Sequence, residues 1–318
     1  PEENNFDTYL TANSGFSNAF TEAEDTCFFF SCGTSALPGA LERFGAFFRA
    51  PLFTESATER EVNAINSEHQ KNVPNDAFRL GQVLNSRANP AHPYHRFGTG
   101  NFKTLLEDTA AKGINLRAEL LAYYQRYYRA SLMTLCIIGK EPLAELQSYA
   151  ERFFGEIPAD SGTGEPESRY WSQPVFLPPA FDKGVEVVPI SDARSLQVAF
   201  PIYFPESSHV VSQLEAPEAP EGGITLASWR WYNPSSHVGA LLGHEGPQSL
   251  TALLRGRGWI TALETGSADN TSTFAMMMVG MELTSEGFKN KDEILQILFG
   301  YLNFLKQLPE FPKESLAE

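Results

Sequence analysis

The sequence has few cysteines, which limits the kinds of site it can contain. Of its 318 residues, three are cysteine: Cys27, Cys32 and Cys136. An odd count without a C-x-x-C pair argues against both a disulfide framework and a thiolate zinc site. Cys27 and Cys32 lie in an apolar run with an aromatic centre, so we expect buried free thiols. Free thiols suit a reducing compartment, and we therefore expect a cytoplasmic location.

Cations are also scarce. The chain has 24 Lys and Arg against 39 Asp and Glu, which gives a formal net charge of −15. Binding to nucleic acid or to an anionic membrane surface needs clustered cations, so we expect neither as a partner. No apolar run approaches the roughly 20 residues of a membrane span, and no signal peptide is visible. The start at Pro1-Glu2-Glu3 reads as the interior of a protein, so we expect a truncated or processed chain.

Apolar residues, in contrast, are plentiful enough to form sizeable cores. Hydrophobic residues make up 42% of the chain and include 24 Phe. At roughly 100–200 residues per domain, the length predicts two domains. A stretch rich in Pro and Gly at 156–181 is the best linker, so we expect a boundary near 176 and domains at 1–176 and 177–318. The polar, acidic segment 205–223 is typical of an inserted mobile surface loop.

Hydrophobic periodicity and turn residues predict the elements. Helices are expected before residue 16 and over 36–49, 56–86, 101–110, 114–129, 141–155, 236–256 and 285–307. Strands are expected over 17–21, 27–32, 132–139, 184–190, 195–202 and 273–283. The first two strands flank the acidic turn from Glu22 to Asp25, which predicts a hairpin. The segment 87–100 is rich in Pro, His and Gly, so we expect His92 and His95 on a surface loop rather than in a metal site.

One helix carries two carboxylates with an unusual pattern. Glu61 and Glu68 are seven residues apart, so they lie on one helix face about two turns apart, with Ala64 between them. Acidic residues on helices are commonly exposed without a role, and this spacing alone leaves that alternative open. Glu68-His69 is not part of an H-x-x-E-H zinc motif, because Ile65 stands where its first histidine belongs.

Several motifs resemble the insulin-degrading enzyme (pitrilysin) family of zinc metallopeptidases. Glu61-Val62-Asn63-Ala64, Ser67-Glu68-His69 and Lys71-Asn72 resemble the helix that carries the family's third metal ligand. The resemblance continues in Ser14–Thr21, Asn75–Leu80, Asn89–Pro93, Phe97–Gly100, Lys103–Leu105, Leu242–Pro247, Ser249-Leu250 and Gly258-Trp259. It spans most of the chain except the linker and the 205–223 segment, and these motifs occur in the family's order.

The resemblance implies a fold and a metal site. We expect an α+β protein of two tandem pitrilysin-like domains, each a mainly antiparallel sheet flanked by helices. The first would be the metal-site domain lacking its N-terminal part, and the second would be truncated at its C-terminus. Glu68 matches the carboxylate ligand of a single zinc ion per full-length site, and Glu61 matches the glutamate that supports the ligands by hydrogen bonds.

The resemblance also implies two places for substrate. Asn18, Ala19 and Phe20 match an edge strand to which an extended peptide adds, although a Phe-rich core hairpin is the open alternative. Gly243 and Glu245, with Leu263 in a partner segment, resemble a site that grips the N-terminal end of a long peptide. Thr265 stands where the first of two glycines is expected, which weakens this match. A helix-packing motif with a polar edge remains an alternative for the Gly243–Glu245 segment.

The chain contains no H-x-x-E-H motif, so the histidine ligands and the general base are expected upstream of Pro1. Three hypotheses follow. In the first, the chain is part of a zinc metalloendopeptidase that hydrolyses small to medium peptides in an enclosed chamber and is inactive alone. Its partners would be peptide substrates, the missing N- and C-terminal parts of the same protein and a possible homodimer mate. In the second, it is a non-catalytic family member that binds peptides or assembles a complex. The third discards the resemblance and posits an acidic two-domain peptide-binding module.

Overall fold

The structure is a computed structural model that describes residues 4–159, 174–180, 184–204, 233–269 and 271–308. The acidic segment at 205–223 and most of the predicted linker lie outside the described residues. Packing divides the chain into two units. Unit 1 comprises Pro1–Val73 and Phe97–Ser168, and unit 2 comprises Pro74–Arg96 and Arg169–Glu318. The domain boundary near residue 176 stays a prediction.

Along the chain, most elements are helices, and the strands are few and short. The helices of the described residues are α1 (Asn5–Ala12), α2 (Leu37–Arg49), α3 (Glu55–Asn72), α4 (Asp76–Arg87), α5 (Asp108–Ala111), α6 (Leu116–Tyr127), α7 (Leu143–Phe154), α8 (Pro234–Gly243), α9 (Leu250–Gly256), α10 (Ser285–Lys289) and α11 (Lys291–Gln307). The strands are β1 (Phe16–Thr21), β2 (Thr26–Ser31), β3 (Ser195–Tyr203), β4 (Ile260–Ala268) and β5 (Phe274–Leu283). A π-helical turn, Lys103–Glu107, precedes α5.

Unit 1 is built on a hairpin and a helical core. β1 and β2 pair antiparallel from Phe16↔Ser31 to Thr21↔Thr26, which confirms the predicted hairpin. On the inner face of β2, Phe30 and Phe28 contact the rings of Phe44 and Phe48, with centroids 5.0 and 5.6 Å apart. The core joins α2 to α7 and consists of Leu37, Leu41, Leu146, Phe153, Phe154 and Ile157.

Unit 2 holds a three-stranded antiparallel sheet in the order β3-β5-β4. Alternate residues of the central strand face the helices, as period-two side-chain geometry requires. The main core contains Leu242, Leu250, Leu254, Trp259, Ile260, Leu263, Met277, Val279, Met281, Leu283, Ile294 and Leu298. This core joins α8, α9 and α11 to the sheet.

Small antiparallel sheets flanked by helices confirm the α+β class. Among the described residues, no helix is both long enough and apolar enough to cross a membrane.

Two predicted helices are each split in the structure, so both predictions were wrong in extent. The 56–86 helix is broken between α3 and α4 because Pro74 has no N–H to donate to the carbonyl of Gln70. The 236–256 helix ends at Gly243, since Pro247 cannot donate to that residue's carbonyl. Ser249 then starts α9 by accepting a hydrogen bond from the Ala252 N–H at 3.0 Å.

Two predicted strands are absent from the described sheets. Residues 132–139 and 184–190 form no ladder, because neither segment meets a partner strand among the described residues. Apolar composition predicts extended backbone, but a strand also needs a neighbour whose N–H and C=O groups face its own.

The strand β4 was not predicted, because its sequence has a weak strand pattern although a partner strand is present. Its sequence includes Gly266 and alternates weakly, yet it pairs along its length with β5.

Two residues near the end of the predicted linker are packed in the core of unit 2. Val175 and Phe176 are buried in a second core cluster of unit 2 with Ala88, Phe274 and Met276. The Asn89 N–H donates to the Val175 carbonyl at 2.8 Å, which ties the two segments together.

Candidate functional site

The carboxylate helix α3 is fixed at its N-terminus by contacts within unit 1. The Thr54 hydroxyl accepts a hydrogen bond from the Ala57 N–H, which caps the first turn. The preceding residue, Phe53, has a φ of 42°, a conformation that bulky residues rarely adopt. The Arg117 Nε–H donates to its carbonyl, and its ring lies 5.7 Å from that of Tyr124. Helix α6 therefore holds the residue that precedes the N-cap of α3.

The other end of α3 is held by the segment that follows Arg96. The Phe102 N–H donates to Asn66 Oδ1 at 3.2 Å, and the His69 ring meets the Phe97 ring edge-on with centroids 5.6 Å apart. Ile65 lies against Gly100, where an added Cβ would come within 3.0 Å of the Ile65 side chain. These contacts fix the rotation of α3 about its axis, and that rotation decides which residues are exposed.

Glu61 and Glu68 are both exposed on α3, with exposed Ala64 between them. The seven-residue spacing places the two carboxylates on the same helix face, as the sequence predicted. His69 is half-buried against Phe97 and thus does not share the Glu68 face. The helix presents two anionic side chains and a small residue, a surface that a second polypeptide or a cation can approach.

The described residues do not by themselves complete a zinc site. Zinc in enzymes takes three protein ligands and a water, and carboxylate ligands bind beside histidine or cysteine. No group of three His, Cys, Asp or Glu side chains suited to a metal occurs in the part of the chain that the structure describes. Glu68 has the chemistry of one ligand, and the others are not among its neighbours here.

One of the two loop histidines does not lie on the surface. His92 is buried, which corrects the predicted surface position. Its Nδ1 accepts a hydrogen bond from the Tyr94 N–H at 3.1 Å, and its ring packs edge-on against Phe274. Burial lowers the pKa of His92 and favours its neutral form. His92 is thus a packing residue of unit 2.

The candidate substrate strand β1 is open along one edge among the described residues, since it pairs with β2 alone. Asn18, Ala19 and Phe20 are all exposed, and Asn18 Oδ1 accepts from the Ala19 N–H at 2.8 Å. Asn18 and Phe20 share the outer face of the hairpin with Phe16 and Phe29. The hairpin therefore has one face in the core and one exposed aromatic face. It combines the core hairpin and the exposed edge strand that the sequence analysis left as alternatives.

In unit 2, the predicted terminus-binding residues lie where α8 approaches β4. Gly243 ends α8, and an added Cβ there would lie 3.9 Å from Thr265 Oγ1. Glu245 is exposed, but its Oε1 is 2.8 Å from Arg255 Nη2, a partner that sequence reasoning missed. Leu263 is buried in the main core, so any contact it makes with a peptide would use its backbone. The structure thus brings Gly243 and Thr265 together and leaves Glu245 paired within the chain.

The three cysteines are free thiols, as expected. Cys27 and Cys32 are half-buried rather than buried, and Cys136 is exposed. Burial, together with the charge of Glu141, raises the pKa of the Cys32 thiol, which keeps it protonated and unreactive near neutral pH.

Two family models match the chain. The model described as the peptidase M16 inactive domain matches residues 115–318, and that of insulinase (peptidase family M16) matches residues 1–91. A putative zinc protease of Caenorhabditis elegans is 38% identical over 307 residues, which are 96% of this chain and 33% of that protein. The insulin-degrading enzyme of Homo sapiens is 36% identical over 314 residues, 99% of this chain and 28% of that protein. The crystal structure of pitrilysin is 26% identical with a TM-score of 0.78, over 97% of this chain and 30% of that one. The chain thus spans about a third or less of these relatives.

Proposed function

Since the chain belongs to peptidase family M16, we propose that it forms part of a zinc metalloendopeptidase that hydrolyses small to medium peptides in an enclosed chamber. Membership confirms the resemblance drawn from the sequence motifs. The observation that carries the proposal is the exposed pair Glu61 and Glu68 on a fixed helix, within the segment that matches the insulinase model.

In this proposal Glu68 supplies the carboxylate ligand of the zinc ion. Glu61, about two turns earlier on the same face, orients a ligand through hydrogen bonds. The histidine ligands and the general base come from a part of the protein outside these 318 residues, because the described residues hold no suitable group of ligands. When bound, the zinc would polarise the scissile carbonyl and lower the pKa of a bound water. The 318-residue chain on its own is then inactive.

Substrate would bind in two places. An extended peptide would add to the open edge of β1 beside Asn18, Ala19 and Phe20, with backbone hydrogen bonds that tolerate many sequences. The segment of Gly243 and Glu245, with the backbone of Leu263, would receive the N-terminal end of a longer peptide. An α-ammonium group there would compete with Arg255 for the Glu245 carboxylate, which supports only weak binding at this point.

The net charge of −15 favours substrates with basic segments. A panel of peptides that differ only by Lys-to-Glu replacements outside the scissile bond tests this preference. Basic members should be cleaved faster at low salt, with the difference shrinking as ionic strength rises. Equal rates across the panel would refute the preference.

A second function is favoured by a separate observation. The chain contains no H-x-x-E-H motif, and the model that matches residues 115–318 is described as the M16 inactive domain, so a non-catalytic member that binds peptides or assembles a complex is the second candidate. The carboxylate pair distinguishes the two proposals. A binding subunit has no need of a metal ligand, whereas an enzyme loses activity without it.

The location and the assembly remain proposals of the same kind. Free thiols suit the cytoplasm, although one relative, from Arabidopsis thaliana, is named as peroxisomal. Further parts of the same protein, peptide substrates and a possible second copy are the proposed partners. Fractionation of tagged protein and size-exclusion chromatography with light scattering would test these two points.

The proposed enzyme is tested with the complete protein encoded by the reading frame that contains these residues. We expect cleavage of a quenched fluorescent peptide that a chelator abolishes and zinc restores. Glu61→Gln should lower kcat/KM by about 10–100-fold, and Glu68→Gln by more, since it removes a ligand and not only its support. Glu59→Gln is the matched control, because Glu59 is exposed on another face of α3.

Retained activity and zinc content in the Glu68→Gln variant would contradict the enzyme proposal. Peptide binding without zinc and without cleavage would instead support the non-catalytic member. The coding sequence upstream of Pro1 gives an independent check, since the enzyme requires an H-x-x-E-H motif there.

A further inference from the structure

Helix α3 has two faces with different surroundings. The residues that are buried or half-buried recur at helical spacing along one face: Val62, Ile65, Asn66 and His69. The carboxylates Glu61 and Glu68 lie on another face and are exposed. Because successive residues of a helix turn by about 100°, the side chains of Asn66 and Glu68 project about 160° apart. Asn66 therefore influences a group bound at Glu68 only through the position of the helix.

The half-buried face of α3 contacts residues 97–107, which we call the clamp segment. Its helical turn starts at a defined residue, because the Asn101 side chain accepts from the Thr104 N–H at 2.9 Å and the Asn101 N–H donates to Thr104 Oγ1 at 3.1 Å. The Phe102 N–H belongs to the first turn, where backbone donors have no partner within the helix. Asn66 Oδ1 on α3 accepts this hydrogen bond at 3.2 Å. A side chain of one helix thus caps the start of another.

Two apolar contacts flank this hydrogen bond. Ile65 packs against Gly100, and the His69 ring meets the Phe97 ring edge-on. Apolar packing holds α3 against the clamp segment but is not directional, so by itself it leaves the helix free to roll by a few degrees. A hydrogen bond weakens steeply as its angle departs from linearity. The Asn66 bond therefore selects one rotation of α3 from those that the packing permits.

A small rotation of α3 is enough to matter at Glu68. A side-chain atom at the outer radius of a helix, about 5–6 Å from the axis, moves by about 1 Å when the helix turns by about 10°. Metal–ligand distances in a well-formed site hold to within about 0.2 Å. A hydrogen bond on the far side of the helix therefore controls whether the Glu68 carboxylate lies at bonding distance from an ion.

We propose that Asn66 is a positioning residue for the metal site: by accepting the Phe102 N–H, it sets the rotation of α3 that directs Glu68 at the ion. The inference rests on the proposed enzyme function and adds to it a residue that acts through Glu68. Asn66 itself touches neither metal nor substrate in this role. Breaking the bond from the acceptor side or from the donor side should then have the same effect on zinc affinity.

The zinc affinity of the complete protein, measured by competition with a chromogenic chelator, tests the acceptor side. Asn66→Ala removes the acceptor and should raise the zinc Kd by about 10-fold, as loss of groups that orient metal ligands does. Asn66→Asp keeps an acceptor oxygen and should restore most of the affinity. Asn63→Ala is the matched control, because Asn63 is exposed on α3 and its Nδ2 donates to the Glu59 carbonyl within the same helix. It should leave the zinc Kd unchanged.

The donor side is tested at Phe102. This residue begins the helical turn with a φ of −54°, which suits proline at that position. Phe102→Pro removes the N–H and should raise the zinc Kd by the same factor as Asn66→Ala, whereas Phe102→Ala keeps the N–H and serves as the control. The double variant of Asn66→Ala and Phe102→Pro should be no weaker in zinc binding than either single variant, since both remove one bond.

A spectroscopic readout separates positioning from a merely structural role. With cobalt(II) in place of zinc, the visible absorption bands should shift in Asn66→Ala and Phe102→Pro but not in the two controls. Loss of stability in urea with an unchanged zinc Kd and an unchanged cobalt spectrum would overturn the inference, as would additive losses in the double variant. If Asn66→Ala fails to fold, Phe102→Pro against Phe102→Ala decides the same question. Absence of zinc from the unmodified complete protein would instead refute the proposed function on which the inference rests.

Discussion

The two sheets of this chain differ in how completely they are covered. In unit 2, β5 lies between β3 and β4, and seven of its ten residues are buried: Phe274, Ala275, Met276, Met277, Val279, Met281 and Leu283.

 In unit 1, β1 pairs with β2 alone among the described residues, and five of the six β1 residues are exposed. The comparison teaches that unit 2 buries the apolar residues of its sheet, whereas unit 1 exposes most of β1 and the two carboxylates Glu61 and Glu68.

The largest expected effect is in the core of unit 2. Leu298 is fully buried on α11, so Leu298→Ala should lower the free energy of unfolding by about 2–5 kcal/mol. All four tryptophans lie in the sequence range of unit 2, so urea unfolding followed by tryptophan fluorescence reports on this unit. Phe304→Ala on the same helix is the control, because Phe304 is 55% exposed and its loss should change little. Equal losses in both variants would break the comparison.

A close backbone contact in unit 2 should give the next largest effect. A Cβ added at Gly287 would lie 1.8 Å from the Trp259 carbonyl oxygen, so Gly287→Ala should cost about 1–3 kcal/mol of stability by overpacking. Gly256 ends α9 with no atom within 4 Å of an added Cβ, and Gly256→Ala should be neutral or slightly stabilising. The same urea titration measures both, and a tolerated Gly287→Ala would show that unit 2 is looser than its packing implies.

A smaller, pH-dependent effect is expected where α4 begins. Asp76 accepts hydrogen bonds from the Ser191 hydroxyl at 2.6 Å and from the Ser191 and Ile190 N–H groups at 3.0 Å. These bonds, the Ser191 hydroxyl first, hold the pKa of Asp76 well below its usual range. A carboxyl whose pKa is lower in the folded state stabilises the fold above its unfolded pKa of about 3.9, and this stabilisation is lost as the pH falls through the folded pKa.

Asp76→Asn should therefore lower the urea midpoint of unit 2 at neutral pH. The difference from the unmodified chain should stay constant between about pH 6 and 8 and shrink as the pH falls below about 4. Asp292→Asn, an exposed position on α11, is the charge-matched control. A difference that grows on acidification would contradict the assignment.

The smallest effect is expected on the outer face of the unit 1 hairpin. Phe16 is 60% exposed, so Phe16→Ser should change the free energy of unfolding by no more than about 0.5 kcal/mol. Leu41→Ala is the contrasting variant, since Leu41 is buried in the α2–α7 core. Far-ultraviolet circular dichroism in urea measures both. A large loss in Phe16→Ser would mean that the aromatic face already packs within the chain.

Sequence reasoning recovered the elements whose signals are local. The hairpin follows from two apolar runs around an acidic turn, and α2 and α7 follow from helical spacing, so all three were predicted nearly to their ends. The breaks at Pro74 and Pro247 were missed, although each proline marks the place where a backbone donor is lost. The strand β4 was missed because pairing with β5, rather than its own composition, stabilises it.

The candidate site shows the same limit. The spacing of Glu61 and Glu68 predicted their shared face, because that depends on helix geometry alone. Three features of the site were missed: the pairing of Glu245 with Arg255, the burial of Leu263 and the burial of His92. The burial of Leu263 and of His92 depends on contacts with segments distant in sequence. The ion pair depends on how the chain turns between α8 and α9, which no local pattern fixes. Such contacts are set by packing, and a single sequence does not record them.

The most direct test of the account is the zinc content of the two forms of the protein. The central claim is that this chain contributes Glu68 to a metal site that it does not complete. Equilibrium dialysis followed by metal analysis should find about one zinc per molecule of the complete protein, lost in Glu68→Gln, and no stoichiometric zinc on the 318-residue chain. Stoichiometric zinc on the 318-residue chain, or none on the complete protein, would contradict the account.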